Sequence, residues 1–232
     1  MTSCLCWPAA DIPEPDQSDA SAPMAVVQGF APSVSWRQLA HGAAVISSGA
    51  LWVASNLDLT IPTAYGISPG NGTLVNAVAA AVGRRPDVVA GKPFRPLFDE
   101  TVRRVGAGRP LVVGDRLDTD IEGATNCDAD SLLVMTGVTD VAALLTATGA
   151  QRPDFVAWTL DGLFTSHAVP RCATGRWRLA SWEMSVEDDV VVVHNRGDDA
   201  DEGLRVATSA AWHWADQHPH HELRCDALDS VW

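Results

Sequence analysis

The sequence predicts an α/β fold: a mostly parallel sheet covered by helices on both faces, followed by a small α+β appendage. Three observations lead there. Short uninterrupted apolar runs alternate with helical spacings from Ala25 to Thr148, as strands buried on both faces require. Apolar residues make up 47% of the 232, enough for one large core or two small ones. Near Arg152 the element order changes, and most of the 9 tryptophans lie beyond it.

Residues 1–24 are rich in Pro, Asp, Ser and Ala without periodicity and read as a disordered leader. Ala25–Gln28 is a short apolar strand. Trp36, Leu39, Ala40, Ala43 and Ile46 recur at helical spacing, so a helix is expected over Ser35–Ser47. Ala50–Ala54 is a buried strand, Ser55–Asn71 a long loop, and Thr73–Val82 a helix opened by Asn71-Gly72. A strand at Asp87–Ala90 precedes a helix that Pro93 suits as first turn and that runs to Val105. Then follow a strand at Leu111–Val113, a helix near Thr119–Asn126, a strand at Leu132–Met135 and a helix at Val138–Thr148. The appendage reads as strands near Trp177–Trp182 and Val190–His194, a helix near Leu204–Asp216, and a last extended stretch at Glu222–Cys225.

The net charge of −13 argues against nucleic acid or an acidic membrane as partner, because both require a basic face. The acidic clusters at Asp188–Asp189 and Asp198–Glu202 read as solvated surface. Five cysteines, an odd number without metal-ligand spacing, fit a reducing cytoplasm. No run of apolar residues is long enough to span a membrane, and the N-terminus lacks the pattern of a signal peptide. The histidines at 213, 218, 220 and 221 read as a polar stretch between a helix and a strand. One bias is sharper: of the 16 basic residues only Lys92 is lysine. A compact point charge on a thin stem is what a planar guanidinium cannot replace in a tight site.

Chemistry gathers at two strand ends, where parallel sheets hold their ligands. Leu111-Val112-Val113-Gly114 runs into Asp115-Arg116-Leu117-Asp118-Thr119-Asp120. Three carboxylates there need neutralising, and magnesium favours one or two carboxylates with phosphate and water. A calcium loop would need acids at alternate positions followed by glycine; Leu117 and the absence of that glycine argue against it. Ala90-Gly91-Lys92-Pro93 places the single lysine at a helix start, a ready anion site.

Gly91-Lys92-Pro93 together with Val113-Gly114-Asp115-Arg116-Leu117-Asp118-Thr119-Asp120-Ile121 resembles the haloacid dehalogenase (HAD) superfamily. Within it, the likeness is to the group of p-nitrophenyl-phosphate, phosphoglycolate and glycerol-3-phosphate phosphatases. Thr136-Gly137-Val138 fits, and Ser55–Pro62 with Pro69–Gly72 is similar to the substrate-facing segment of that group's large α/β cap. The resemblance covers residues 25–150. It implies a cap remnant at 25–86, half of the HAD Rossmann-like core at 87–151, and the appendage at 152–232. It further implies that Asp115 binds Mg2+, that Lys92 holds phosphate, and that Asp120 orients Lys92 or metal-bound water. Asn56, Asp58 and Ile61 would lie on the cap loop over the leaving group. The implied substrate is a small phosphorylated metabolite, a polyol phosphate or a phosphoglycolate-like monoester.

The family's aspartate nucleophile is missing. It belongs to an apolar strand followed by Asp-x-Asp-Gly, and neither Asp128-Ala129-Asp130 nor Asp199-Ala200-Asp201 fits that setting. The sequence therefore leads to the expectation of a chain inactive by itself: a truncated or mis-started phosphatase, a binding or regulatory module, or half of a split enzyme. The retained Lys92 and carboxylates favour the first. Without the nucleophile strand the strand ending at Asp115 becomes an open apolar edge, so homo-oligomerisation is expected.

Overall fold

The computed structural model describes residues 4–6, 23–106 and 108–225. Its strands are β1 (Cys4–Cys6), β2 (Ala25–Gln28), β3 (Leu51–Ala54), β4 (Thr60–Thr63), β5 (Gly66–Pro69), β6 (Val88–Val89), β7 (Leu111–Gly114), β8 (Asp130–Val134), β9 (Phe155–Ala157), β10 (Arg171–Ala173), β11 (Arg176–Leu179), β12 (Trp182–Glu187) and β13 (Val190–Asn195). Its α-helices are α1 (Trp36–Ser47), α2 (Asn71–Val82), α3 (Arg95–Val105), α4 (Glu122–Asn126), α5 (Val141–Leu145) and α6 (Ala200–Gln217). The chain divides into two compact units between Thr101 and Val102, inside α3.

In the first unit β1, β2, β3 and β6 form a parallel sheet in that order, with Val26 opposite Trp52 and Val53 opposite Val88. Burial alternates along β2 and β3, so Val26, Trp52 and Ala54 face a core closed by Val45 and Ile46 of α1 and Val75 and Val78 of α2. Among the described residues, α1 and α2 both pack against this same face of the sheet. Burying a side chain the size of Trp52 or Ile46 contributes about 2–3 kcal/mol. Trp52 lies wholly inside because its indole N–H donates to Gln28 Oε1 at 3.1 Å. Ser35 starts α1 with a reciprocal cap, its hydroxyl accepting from Gln38 N–H and its own N–H donating to Gln38 Oε1.

Two expectations change here. The strand at Cys4–Cys6 pairs with Ala25–Val27, so that part of the leader is ordered; residues 1–3 and 7–22 of the predicted leader lie outside the described residues. The expected loop at 55–71 contains the antiparallel hairpin of β4 and β5, with Ile61 opposite Ser68.

The second unit holds a three-stranded parallel sheet in the order β7-β8-β9 and an antiparallel meander of β10 to β13. Helix α6 joins them. Its Leu204 packs with Ile121, Leu133, Leu144 and Val156 of the parallel half, while Val206, Ala207 and Ala211 pack with Trp182, Met184 and Val191 of the meander. The segment after residue 151 therefore shares its core with the preceding half, and β9 is a strand of that half's sheet. The expected helix from Thr119 begins earlier and differently, as a π-helical turn over Leu117–Ile121 that continues into α4. Asp199, expected in an acidic loop, caps α6 by accepting from Asp201 and Glu202 N–H. No helix among the described residues is long and apolar enough to cross a membrane.

Candidate functional site

Each unit carries part of the expected chemistry at strand ends. In the first, Ser55 N–H donates to Gln28 O and Ala90 N–H to Ala54 O, so the chain leaves β3 and β6 side by side. Gly91 follows, packed so tightly on Ser55 that a β-carbon there would overlap its carbonyl and lie 3.3 Å from Asn56 Cβ. This contact brings Lys92, which is exposed, beside the loop holding Asn56 and Asp58. Phe94 N–H donates to Gly91 O at 3.0 Å, closing a turn that delays α3 to Arg95. The Lys92–Pro93 peptide is cis.

The Asn56–Asp58 loop is fixed by its own polar groups. Asn56 Oδ1 accepts from Asp58 N–H at 3.2 Å, and buried Asn71 donates to Asn56 O at 2.8 Å. Asp58 O accepts from Gly72 N–H at the start of α2. Ile61 is half-buried on β4, beyond this loop.

In the second unit Asp115 comes immediately after β7. Its Oδ2 accepts from Val138 N–H at 2.8 Å, and its carbonyl accepts from Thr139 N–H at 3.1 Å and from the Thr139 hydroxyl at 2.6 Å. Gly137 lies flat against the carboxyl group, where any β-carbon would overlap it. The helix expected from Val138 cannot begin until Asp140 caps it, because residues 137–139 are turned to hold Asp115. The sequence pattern flags Thr136-Gly137-Val138 but not the main-chain role of Val138 and Thr139.

The two other acids have partners close by. Asp118 receives Arg116 in a two-pronged pair, Nε to Oδ1 at 3.1 Å and Nη2 to Oδ2 at 2.8 Å. Asp120, 4% exposed, turns back under Gly114 and accepts from Arg116 N–H at 3.1 Å. Of the three carboxylates, Asp118 is paired with Arg116, Asp115 is seated by Val138 N–H, and Asp120 shapes the turn behind it. Asp128-Ala129-Asp130 leads into β8 at its amino end.

The donor set decides what metal could be held. No group of three His, Cys, Asp or Glu residues suited to a metal occurs among the described residues, so a cage made by protein alone is absent from them. One rigidly seated carboxylate is instead the donor chemistry of magnesium, which keeps waters and takes substrate phosphate as ligand. His218 stacks on Trp214 with ring centres 4.7 Å apart, a packing role for the histidine-rich stretch.

Residues 89–163 match the HAD-hydrolase-like family model. The class of likeness is thereby given: residues 89–163 are similar to the HAD hydrolases. More narrowly, D-glycerol 3-phosphate phosphatase of Mycobacterium tuberculosis is 40% identical over 217 residues, covering 89% of this chain and 60% of that protein. A crystal structure of the glycerol phosphate phosphatase from the same organism, in complex with magnesium, aligns at a TM-score of 0.75 and 36% identity, covering 90% of this chain and 63% of that one. Phosphoglycolate phosphatase 2 of Arabidopsis thaliana is 34% identical over 144 residues, 60% of this chain and 48% of that protein. The chain thus spans less than two thirds of the length of these relatives.

Proposed function

We propose that the chain carries part of the cap and the lysine- and metal-bearing half of a magnesium-dependent phosphatase for a small phosphomonoester, a polyol phosphate or a phosphoglycolate-like compound. We further propose that these 232 residues by themselves bind phosphate and magnesium without turnover. The observation that carries this is Asp115, seated at the end of β7 by Val138 N–H and by the flat face of Gly137.

In this reading Asp115 is the metal ligand, and magnesium, when bound, supplies Lewis-acid stabilisation of charge on the phosphoryl oxygens. Lys92 donates to those oxygens. Asp120 acts through the backbone, fixing Arg116 and with it the loop that presents Asp115. Asn56, Asp58 and Ile61 stand on the segment that covers the leaving group. What the residues do not supply is the in-line nucleophile: forming an aspartyl-phosphate and expelling the alcohol needs an aspartate in an Asp-x-Asp-Gly setting, and the sequence has none. The names of the relatives support a small polyol or glycolate leaving group, and half-buried apolar Ile61 suits an uncharged one.

The experiment measures phosphate release from glycerol 3-phosphate and p-nitrophenyl phosphate in Mg2+, alongside thermal shifts on adding Mg2+ with orthophosphate. No release above background is expected, with a magnesium-dependent part of the shift that Asp115→Asn abolishes. Release that disappears in Asp115→Asn would refute inactivity; the absence of any magnesium-dependent shift would refute the binding reading.

A further inference from the structure

A second polar site lies wholly within the second unit and takes no part in the chemistry above. One face of α6 turns Arg205, Thr208, Ser209 and Trp212, spaced one and two turns apart, toward a cavity of about 140 Å³. Pro153–Val156, at the start of β9, and His167–Pro170 form the rest of its wall. That volume is well above the ~30 Å³ share of a water molecule and below the ~300 Å³ at which sites for drug-sized ligands begin. It suits a small ion.

Two side chains lining this cavity are incompletely partnered. Arg205 is only 8% exposed, and its Nε is buried without a hydrogen-bond partner. Asp201 Oδ2 stands 3.9 Å from its Nη2, beyond hydrogen-bonding reach, while Asp201 Oδ1 already accepts from Trp158 N–H. A buried guanidinium is costly unless its fork of donors meets acceptor oxygens. His167 sits against Phe155, its Nε2 2.8 Å from Gly162 O, which as a carbonyl can only accept. The ring proton is therefore on Nε2. Its Nδ1 is buried with no partner, and in the neutral ring it offers a lone pair. Asp154 also lines the cavity, but its Oδ2 accepts from the N–H and hydroxyl of Ser131, both at 2.9 Å.

We propose that this cavity binds a small protonated oxyanion of the hydrogen-phosphate class. Such an ion brings acceptor oxygens for the guanidinium of Arg205 and a hydroxyl that donates to His167 Nδ1. Hydrogen phosphate and bicarbonate carry both features. Sulfate and acetate, fully ionised at neutral pH, have the acceptors without the hydroxyl. The hydroxyl of Ser209 on the same wall adds a further donor to the anion.

The test uses the full chain carrying Lys92→Ala and Asp115→Asn, in EDTA, so that phosphate binding at the proposed catalytic half cannot contribute. Melting is followed at neutral pH with orthophosphate, bicarbonate, sulfate or acetate, and the Arg205 Nε–H is observed by 15N NMR. Phosphate or bicarbonate should raise the melting midpoint with concentration and shift the Arg205 Nε–H signal; whichever does so names the ion. Sulfate and acetate, which meet Arg205 but leave His167 Nδ1 without a donor, should need about tenfold higher concentration for the same response. Arg205→Gln and His167→Ala should each weaken the response about tenfold, the order expected for losing a charged or buried hydrogen bond. No response to phosphate or bicarbonate, an equal response to sulfate, or a response unchanged in His167→Ala would overturn the proposal. Should Arg205→Gln not fold, His167→Ala decides alone. Because this background lacks Lys92 and Asp115, failure here leaves the phosphatase reading untouched.

Discussion

Replacing Gly114 by alanine tests how the strand end is built. Gly114 closes β7, and the carboxyl group of Asp120 occupies the space where its β-carbon would stand. Gly114→Ala therefore forces Asp120 aside. The buried carboxylate then loses the hydrogen bond from Arg116 N–H, now 3.1 Å long. A charge-assisted hydrogen bond contributes about 1.5–3 kcal/mol, and overpacking a tight site costs about 1–3 kcal/mol. The two losses overlap, since moving the carboxylate relieves the clash, so about 3 kcal/mol is expected. At roughly 3 °C per kcal/mol for a unit of this size, the melting midpoint of the second unit should fall by about 10 °C. Circular dichroism of the full chain measures it. Gly108→Ala is the control, since nothing lies within 4 Å of its β-carbon, and it should shift the midpoint by no more than about 2 °C. A Gly114→Ala midpoint equal to that of the control would show that Asp120 does not occupy this position.

Other expectations follow from single contacts. Gly137→Ala should reduce magnesium affinity by about tenfold or more in a calorimetric titration, because Asp115 can no longer lie on the 137–139 loop; unchanged affinity would remove Asp115 from the site. Lys92→Ala, at an exposed position, should abolish the magnesium-dependent part of the phosphate thermal shift while moving the unliganded midpoint by less than about 2 °C; persistence of that part would count against Lys92. In the first unit, the Arg84 guanidinium and Trp52 N–H hold the Asp87 carboxyl below the usual carboxylate range. The folded unit then binds fewer protons there than the unfolded chain, so this contribution is intact at neutral pH and is lost as pH falls through the depressed value. Acid melts of Asp87→Asn should show a shallower decline than the parent; parallel curves would refute the assignment.

Legibility in the sequence follows burial. The places of Lys92 and Asp115 in the fold can be read from the sequence because each follows the end of an apolar strand, and strand ends in parallel sheets are marked by the change from apolar to polar residues. The hairpin of β4 and β5 cannot, because nearly all of its residues are exposed or half-buried on both faces, and Pro62 and Pro69 sit inside it. With no buried face there is no period of two to read. The α5 boundary escapes the pattern for a main-chain reason: Val138 and Thr139 have helix-compatible side chains, yet their N–H groups are committed to Asp115. Main-chain commitments leave no signature in side-chain pattern. Arg205 is invisible for a similar reason, since one arginine on a long amphipathic helix reads as solvent-facing until its neighbours enclose it.

The same strand end also bears on self-association. Strand β7 is the edge of its three-stranded sheet, and among the described residues it pairs with β8 alone. Its first residue, Leu111, is 44% exposed. An unpaired edge of the sequence Leu-Val-Val-Gly carries no charge, proline or bulge to discourage pairing, the devices by which edges are usually protected. We therefore expect the purified chain to associate. Light scattering across a concentration series should give a mass above the 24.6 kDa of one chain. Leu111→Lys should lower it, because lysine at an edge opposes approach of a second strand without removing a buried side chain. A mass of one chain at all concentrations would show that β7 is not an open edge in solution. An elevated mass that Leu111→Lys leaves unchanged would place the association on another surface, and the β7 edge would then need a different protection from the one its sequence lacks.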